Sequence, residues 1–459
     1  MQRSMREGCL AMRFIHTSDL HIGKRVNGMS MLEDQCYILD QIVAIAQEHA
    51  VDAIVVAGDI YDKASPSAEA VVVLDAFLTK LAGLGILVLA VPGNHDSAER
   101  IAYAQELLAS QGVCFPPVFE GQVQNVTMED EFGEVVFWLL PFLKPGDVRR
   151  FFPDQEIGDD YAAALRAALG TCVVDAAKRN VVVSHQLVTA GGVSPERADD
   201  EIKLGGIDNV DVSVYDAFDY VALGHVHRPQ RIGRDTARYS GSPLKYSFSE
   251  ARYDKSVVLV ELSEKTAGAG SGESGSASSA QSAGGCVNIE LVPLVPLHDM
   301  REVRMTLAEL LAMGAAGVDE SAASEEESPD DEAVDAASAG DEATRAAGVQ
   351  TASDPMQDYL HVTLTDEHPQ LDAMARVHEV FPNAMTLDYD NAAILAARTR
   401  ATVAVDPDEL DTVELFAKFY EEQAGRPLDE KQVKLVAKHV QDVERAFARG
   451  ESRAEGGGR

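Results

Sequence analysis

The stretch Ala53-Ile54-Val55-Val56-Ala57-Gly58-Asp59-Ile60-Tyr61-Asp62 decides the fold. An apolar, β-branched run stops at a glycine, and two carboxylates follow it. Such a run reads as a strand, and the polar residues fall in the loop at its carboxyl end. Strands of α/β folds place their chemistry in those loops. Working outward, an apolar strand spans 12–17, an amphipathic stretch 31–50, a helical stretch 68–84 and a strand 86–91. Strand and helix in turn at this spacing argue for an α/β sheet.

The second half repeats the pattern. Strands are expected at 134–140, 180–183, 220–223 and 256–261, with a helical stretch at 161–178. The clusters Ser18-Asp19-Leu20-His21, Gly93-Asn94-His95-Asp96, Ser184-His185-Gln186 and Gly224-His225-Val226-His227 each follow directly on a strand.

At 459 residues the chain is too long for one ordinary core. Its composition, 46% apolar and 25% charged, is that of a globular protein. The formal net charge of −36 would repel nucleic acid if spread evenly. It is not even, since thirteen acidic residues stand against Arg345 between Asp319 and Asp358. A phosphodiester substrate would still need bound cations or a basic partner to dock. The five scattered cysteines form no CxxC pair and give neither a disulfide framework nor a zinc knuckle, so a cytoplasmic setting is expected. No apolar run approaches the roughly 18 residues of a membrane span, so no membrane partner is expected.

Five motifs carry the chemistry: Asp19-x-His21, Gly58-Asp59-x-x-Asp62, Gly93-Asn94-His95-Asp96, Ser184-His185 and Gly224-His225-x-His227. Carboxylate and amide oxygens mixed with imidazoles suit Mn²⁺, Fe or Zn²⁺ better than Ca²⁺ or a thiolate site. The number of ligands implies two ions. Residues two apart on an extended strand end share a face, so Asp19 and His21 are expected to point the same way, as are His225 and His227. Glycines 58, 93 and 224 are expected to let the backbone come close to the metals. Any one motif alone is weak, and only the ordered set at strand ends makes a site. His16 lies on the opposite face by parity and is read as structural, and Asp62 is read as supporting a metal histidine or a loop amide. His49, His298, His361, His368, His378 and His439 lie outside any strand-end cluster.

The set DxH, GDxxD, GNHD, H and GHxH resembles the signature of the calcineurin-like metallophosphoesterase superfamily. The resemblance implies a four-layer α/β/β/α sandwich. It also implies that Asp19, His21, Asp59 and His227 hold one metal and Asp59, Asn94, His185 and His225 the other, with Asp59 bridging. His95 would not ligate; oriented by Asp96, it would serve the transition state or the leaving oxygen. The Arg-Gly that follows GDxxD in the phosphoprotein phosphatases is replaced by Lys63-Ala64. The fuller stretches 15–24, 58–62 and 223–227, with Tyr239-Ser240-Gly241-Ser242-Pro243, are similar to the DNA nuclease branch that pairs with an SMC-like ATPase.

That likeness implies a metallophosphoesterase domain at 12–262 and a small α+β capping domain at 286–400, interrupted by an acidic insert at about 316–356 that lacks the apolar residues to order it and is expected to be disordered. Helices at 408–448 would dock the ATPase, where Leu415, Phe416, Phe419 and Tyr420 would share a helical face. The loop at 267–285 and the acidic insert have no counterpart in that branch. The implied activity is a Mn²⁺-dependent double-strand 3′–5′ exonuclease and hairpin or single-strand endonuclease in DNA repair and recombination. A homodimer associated with the nucleoid is expected. A structural clamp with little activity and a small-molecule phosphodiesterase are the alternatives.

Overall fold

The computed structural model describes residues 11–197, 209–265, 286–313, 354–368 and 370–390, with a few positions between 416 and 440. The loop at 267–285, nearly all of the acidic insert and most of the segment 408–448 lie outside the described residues.

One six-stranded sheet contains β1 (Met12–Thr17), β2 (Ala53–Ala57), β3 (Leu87–Val91) and β4 (Val113–Cys114), all mutually parallel. The other six-stranded sheet contains β5 (Gln124–Asp130), β6 (Gly133–Leu140), β7 (Arg179–Ser184), β8 (Tyr220–Leu223), β9 (Gln230–Ile232) and β10 (Arg234–Tyr239). The antiparallel pair β11 (Ser256–Leu262) and β12 (Val287–Pro293) completes the first sheet, whose order is β12-β11-β1-β2-β3-β4. The second runs β9-β10-β8-β7-β6-β5.

Side-chain alternation along the strands builds three apolar layers. Phe14 and Val55 of the first sheet meet Phe137, Val181 and Tyr220 of the second in the layer between them. Ile15, Ile54 and Val88 point the other way, under α1 (Leu32–Glu48) and α2 (Ala68–Leu84). Val182 and Val221 face α3 (Tyr161–Leu169) on the far side of the second sheet. The result is the α/β/β/α sandwich.

Capping sets the helix lengths. Ser67 accepts from the Ala70 amide at 3.3 Å to start α2, and Gly85, at φ 74, ends it in the left-handed conformation. The helix expected across 161–178 stops at Leu169, because Gly170 caps it and the Thr171 hydroxyl turns back to the Ala168 carbonyl at 2.6 Å.

The boundary expected between 262 and 286 is not a domain boundary. Strand β12 pairs with β11 along its whole length, from Ser256 opposite Pro293 to Leu262 opposite Val287, and so belongs to the core sheet. Asp34 of α1 accepts from the Tyr359 hydroxyl at 2.7 Å and the His298 amide at 3.1 Å, which ties later chain to the same body. By contacts one unit comprises Met1–Arg304, Ala308–Val362 and Asp372–Leu387; the other comprises Met305–Leu307, Thr363–Leu371 and Asp388–Arg459. A three-stranded sheet runs in the order β13 (Met300–Met305), β14 (Tyr359–Leu364) and β15 (Ala384–Tyr389), and the helix Ala373–His378 lies between the last two in sequence. Within the second unit Asp366 accepts from the Leu307 amide at 2.8 Å, and the Tyr389 hydroxyl accepts from the Gln370 amide at 3.2 Å.

Candidate metal centre

Five loops at the carboxyl ends of β1, β2, β3, β7 and β8 bring the five motifs together. The Nε2 of His21 lies 3.2 Å from the Nε2 of His227 and 3.7 Å from Oδ2 of Asp59. Asp19, His21 and His227 offer ligand atoms that all lie within 4.8 Å of one another. Beside them the Asn94 Oδ1 lies 3.1 Å from His185 Nε2 and 2.8 Å from His225 Nδ1. The same Asp59 Oδ2 is 3.2 Å from His185 Nε2, so one carboxylate oxygen borders both groups.

These residues fit a pair of divalent cations. Two imidazole Nε2 atoms face each other at a distance that leaves room for at most one proton between them. Two of the site's imidazoles are held from behind: His185 Nδ1 donates to the Ala57 carbonyl at 2.7 Å, and His227 Nδ1 to Glu250 Oε1 at 3.1 Å. A second partner of this kind fixes the ring and aims the other nitrogen at a metal. His21 Nδ1 is buried without a hydrogen bond, 3.7 Å from Asp62 Oδ1.

Electrostatics points the same way. Burial alone would raise Asp59, but His185, His21 and His95 hold its carboxyl well below the usual range. Burial pushes Asp19 up, against the pull of His185 and His227. Burial alone would lower His185, but the Asp59 carboxylate raises it to about 9. Ligation requires neutral imidazole, so metal uptake competes with that proton.

The backbone departs from the expected parity. β1 ends at Thr17, and Asp19 and His21 have φ of 53° and 45°, while Asp59 stands at 49° and His225 at 94°. Asp19 and His21 converge through a left-handed turn instead of strand alternation. His225 and His227 diverge, one toward Asn94 and the other toward Asp19 and His21. A non-glycine residue in this region costs about 1–3 kcal/mol and persists where its surroundings over-determine it. Gln35 supplies part of that constraint: its amide donates to the His21 carbonyl at 2.8 Å and its Oε1 accepts from the Gly23 amide at 2.9 Å.

Two glycines make room for ligands directly. A Cβ at Gly93 would sit 2.1 Å from Asp59 Oδ1, and one at Gly224 would sit 1.9 Å from the Ala57 carbonyl oxygen and 2.8 Å from His185 Nδ1.

Asp96 does not orient His95. Its carboxylate accepts the amides of Ile60 at 3.0 Å, Tyr61 at 2.9 Å and Gly93 at 2.9 Å, and so fastens the loop after β2 to the loop after β3. His95 is held by the Asp62 carbonyl at Nδ1, 2.9 Å away, and by Asp59 Oδ1 at its amide, 2.8 Å away. His16 is structural, buried between the sheets with Tyr220 Oη at 3.0 Å and the Leu223 carbonyl at 3.1 Å. The stretch 239–243 braces the site, with Ser240 Oγ 2.7 Å from Ser18 Oγ, which in turn bonds Asp19 at 2.5 Å. Glu250 and Gln35 were not singled out by sequence. Gln35 left a signal, a polar residue in the apolar stripe that continues through Ile38, Leu39 and Ile42. Glu250 left none.

Residues 12–229, which carry this sandwich and these five motifs, match the family model described as calcineurin-like phosphoesterase. A second model, of the SbcD C-terminal region and described as "Type 5 capsule protein repressor C-terminal domain", matches residues 296–424. Among curated proteins the chain is a homologue of the SbcD subunit of the nuclease SbcCD of Staphylococcus epidermidis, 34% identical over 254 residues, or 55% of this chain and 66% of that protein. The match thus spans just under two thirds of the relative's length. Similar solved structures are a Thermus thermophilus protein and a dimetal phosphatase from Danio rerio, at 15% and 13% identity over 54% and 55% of this chain and 93% of each of theirs. Both have a TM-score of 0.32, too low to bear on the reading.

Proposed function

We propose that this chain is a two-metal DNA nuclease, a duplex 3′–5′ exonuclease and hairpin or single-strand endonuclease that works with an SMC-like ATPase in repair and recombination. The observation that carries the reading is the single Asp59 oxygen bordering two sets of oxygen and imidazole donors. The homology to an SbcCD nuclease subunit favours DNA as the substrate. Asp19, His21, Asp59 and His227 would hold one ion and Asp59, Asn94, His185 and His225 the other. Mn²⁺ is the proposed metal, because the donors mix hard oxygens with imidazoles and include no thiolate. Ions bound there supply Lewis-acid polarisation and charge neutralisation for phosphodiester cleavage.

The chain's own residues do the rest. His95 donates from Nδ1 to the Asp62 carbonyl, which leaves Nε2 to hold a proton for the departing oxygen. Asp96 keeps that loop in place. The strongly acidic chain gains from cations at the site and from a basic partner, and residues 408–448 are the proposed docking segment for the ATPase. A homodimer of the nuclease subunit is part of the proposal. Among the described residues no helix is long and apolar enough to cross a membrane; a cytoplasmic, nucleoid-associated setting is part of the proposal.

Incubation of the purified chain with Mn²⁺ and linear duplex or hairpin DNA, with and without the ATPase, tests this. Cleavage that chelator abolishes is expected. Hydrolysis of small phosphodiesters with no DNA cleavage under any of these conditions would overturn it.

A further inference from the structure

Behind His227 lies a cavity of about 340 Å³ whose walls include Arg228, Arg252, Tyr253, Lys255 and Leu291. It adjoins the metal centre through the chain itself. Arg228 follows His227, and the Lys255 ammonium donates to the His227 carbonyl at 2.9 Å. The Arg228 guanidinium lies 5.1 Å from the centre of the Tyr253 ring and is ion-paired with Glu196. Arg252 is exposed, and among the described residues no hydrogen bond or ion pair engages its guanidinium. Leu291 is 46% exposed and lends an apolar patch. In a chain of net charge −36, one guanidinium against an aromatic ring and a second in the same cavity wall call for an anionic ligand with a flat apolar face.

We propose that this cavity is a subsite for a single-stranded stretch of nucleic acid beside the cleaved phosphodiester, with backbone phosphate on Arg252 and Arg228 and a base against Tyr253 and Leu291. The proposal rests on the nuclease reading and adds to it where the strand runs. Arginine and aromatic groups together are the chemistry by which single strands are held without sequence preference, charge on the backbone and stacking on the base. Asp254 in the same wall reduces the net positive charge, which suits a strand held partly by stacking over a free inorganic anion. Arg228 would exchange Glu196 for phosphate on binding.

The test uses the full chain loaded with Mn²⁺ and compares the parent with Arg252→Glu and Tyr253→Leu. Affinity for a short fluorescent oligothymidylate with non-hydrolysable linkages is read by anisotropy, and hydrolysis of bis(p-nitrophenyl) phosphate is read in parallel. Arg252→Glu should weaken oligonucleotide binding at least about tenfold and make its salt dependence shallower by about 0.7 per lost phosphate contact. Tyr253→Leu should weaken it about 5- to 150-fold, the range for loss of one stacked base. Hydrolysis of the small diester should stay at the parent rate in both. Equal oligonucleotide binding by parent and variants would remove the subsite and leave the nuclease reading standing. A parent that hydrolyses the diester but binds no oligonucleotide would remove both. Stronger competition by a peptide of residues 319–342 than by unlabelled oligothymidylate would assign the cavity to the chain's own acidic segment and overturn the proposal.

Discussion

Glu250 Oε1 lies 3.1 Å from Nδ1 of His227, and the other oxygen of the same buried carboxylate takes the Lys255 ammonium at 2.5 Å. Burial alone would raise Glu250, but Lys255 and His227 hold it at about 2. The carboxylate therefore stays ionised and keeps the His227 proton on Nδ1, with Nε2 turned to the site. Glu250→Gln should keep the fold and weaken binding of one ion about 10- to 100-fold, the usual cost of losing such a partner. Competition titration with a chelating dye reads the affinity; two unchanged sites would show that Glu250 does not act on the metal.

His16 sits three residues before Asp19 but titrates as a core residue. Burial lowers it to about 3 from an ordinary value near 6.5. The unfolded chain thus takes up a proton below about pH 6.5 that the folded chain refuses. The stability contribution is complete above that pH and is lost as pH falls toward 3, by about 2 kcal/mol between about pH 7 and pH 5. His16→Gln should make urea unfolding less dependent on pH across that window. An imidazole signal of His16 that titrates near 6.5 in the folded protein would contradict this.

The opposite ends of the sheets are fastened by Arg179. Its guanidinium makes a two-bond pair with Asp130, one bond at 2.7 Å, and also donates to the Leu262 carbonyl at 2.9 Å and the Gly133 carbonyl at 2.7 Å. Asp130 in turn accepts from the Met12 amide at 2.7 Å, so the pair joins both sheets. Arg179→Met leaves a buried carboxylate without its cation and should cost about 3–5 kcal/mol. Adding Asp130→Leu should recover part of that loss, as read by urea midpoints. Equal stability of the parent and Arg179→Met would show that the pair contributes nothing to joining the sheets.

The strands were legible because they are continuous apolar runs that end at glycine or polar residues, while their layering into a sandwich came only from the family resemblance. Strands 12–17, 53–57 and 220–223 and the helix 68–84 have the expected limits. Strand β5 was missed because Gln124–Asp130 is half exposed and polar. The motifs named the residues that gather at the centre, while periodicity misjudged how they get there. Parity holds only in extended backbone, and Asp19, His21 and His225 lie outside it. Asp96 was misread for a related reason: its neighbour in sequence is His95, but its neighbours in space are three backbone amides. Glu250 lies in a short 3₁₀ turn, Phe248–Glu250, with nothing around it in sequence to set it apart from a surface glutamate.

The central claim is that two metal ions share Asp59, and metal content measured together with cleavage tests it most directly. Asp59→Ala and His95→Asn are compared with the parent for bound Mn²⁺ per chain and for the rate of duplex DNA cleavage. The parent and His95→Asn should each carry two ions, with His95→Asn slower by about 10²- to 10⁴-fold, the contribution of a positioned proton donor. Asp59→Ala should lose both ions and its activity while keeping the fold, because its carboxylate oxygen borders both donor sets. An Asp59→Ala protein that still holds two ions and cleaves DNA at the parent rate would contradict the account.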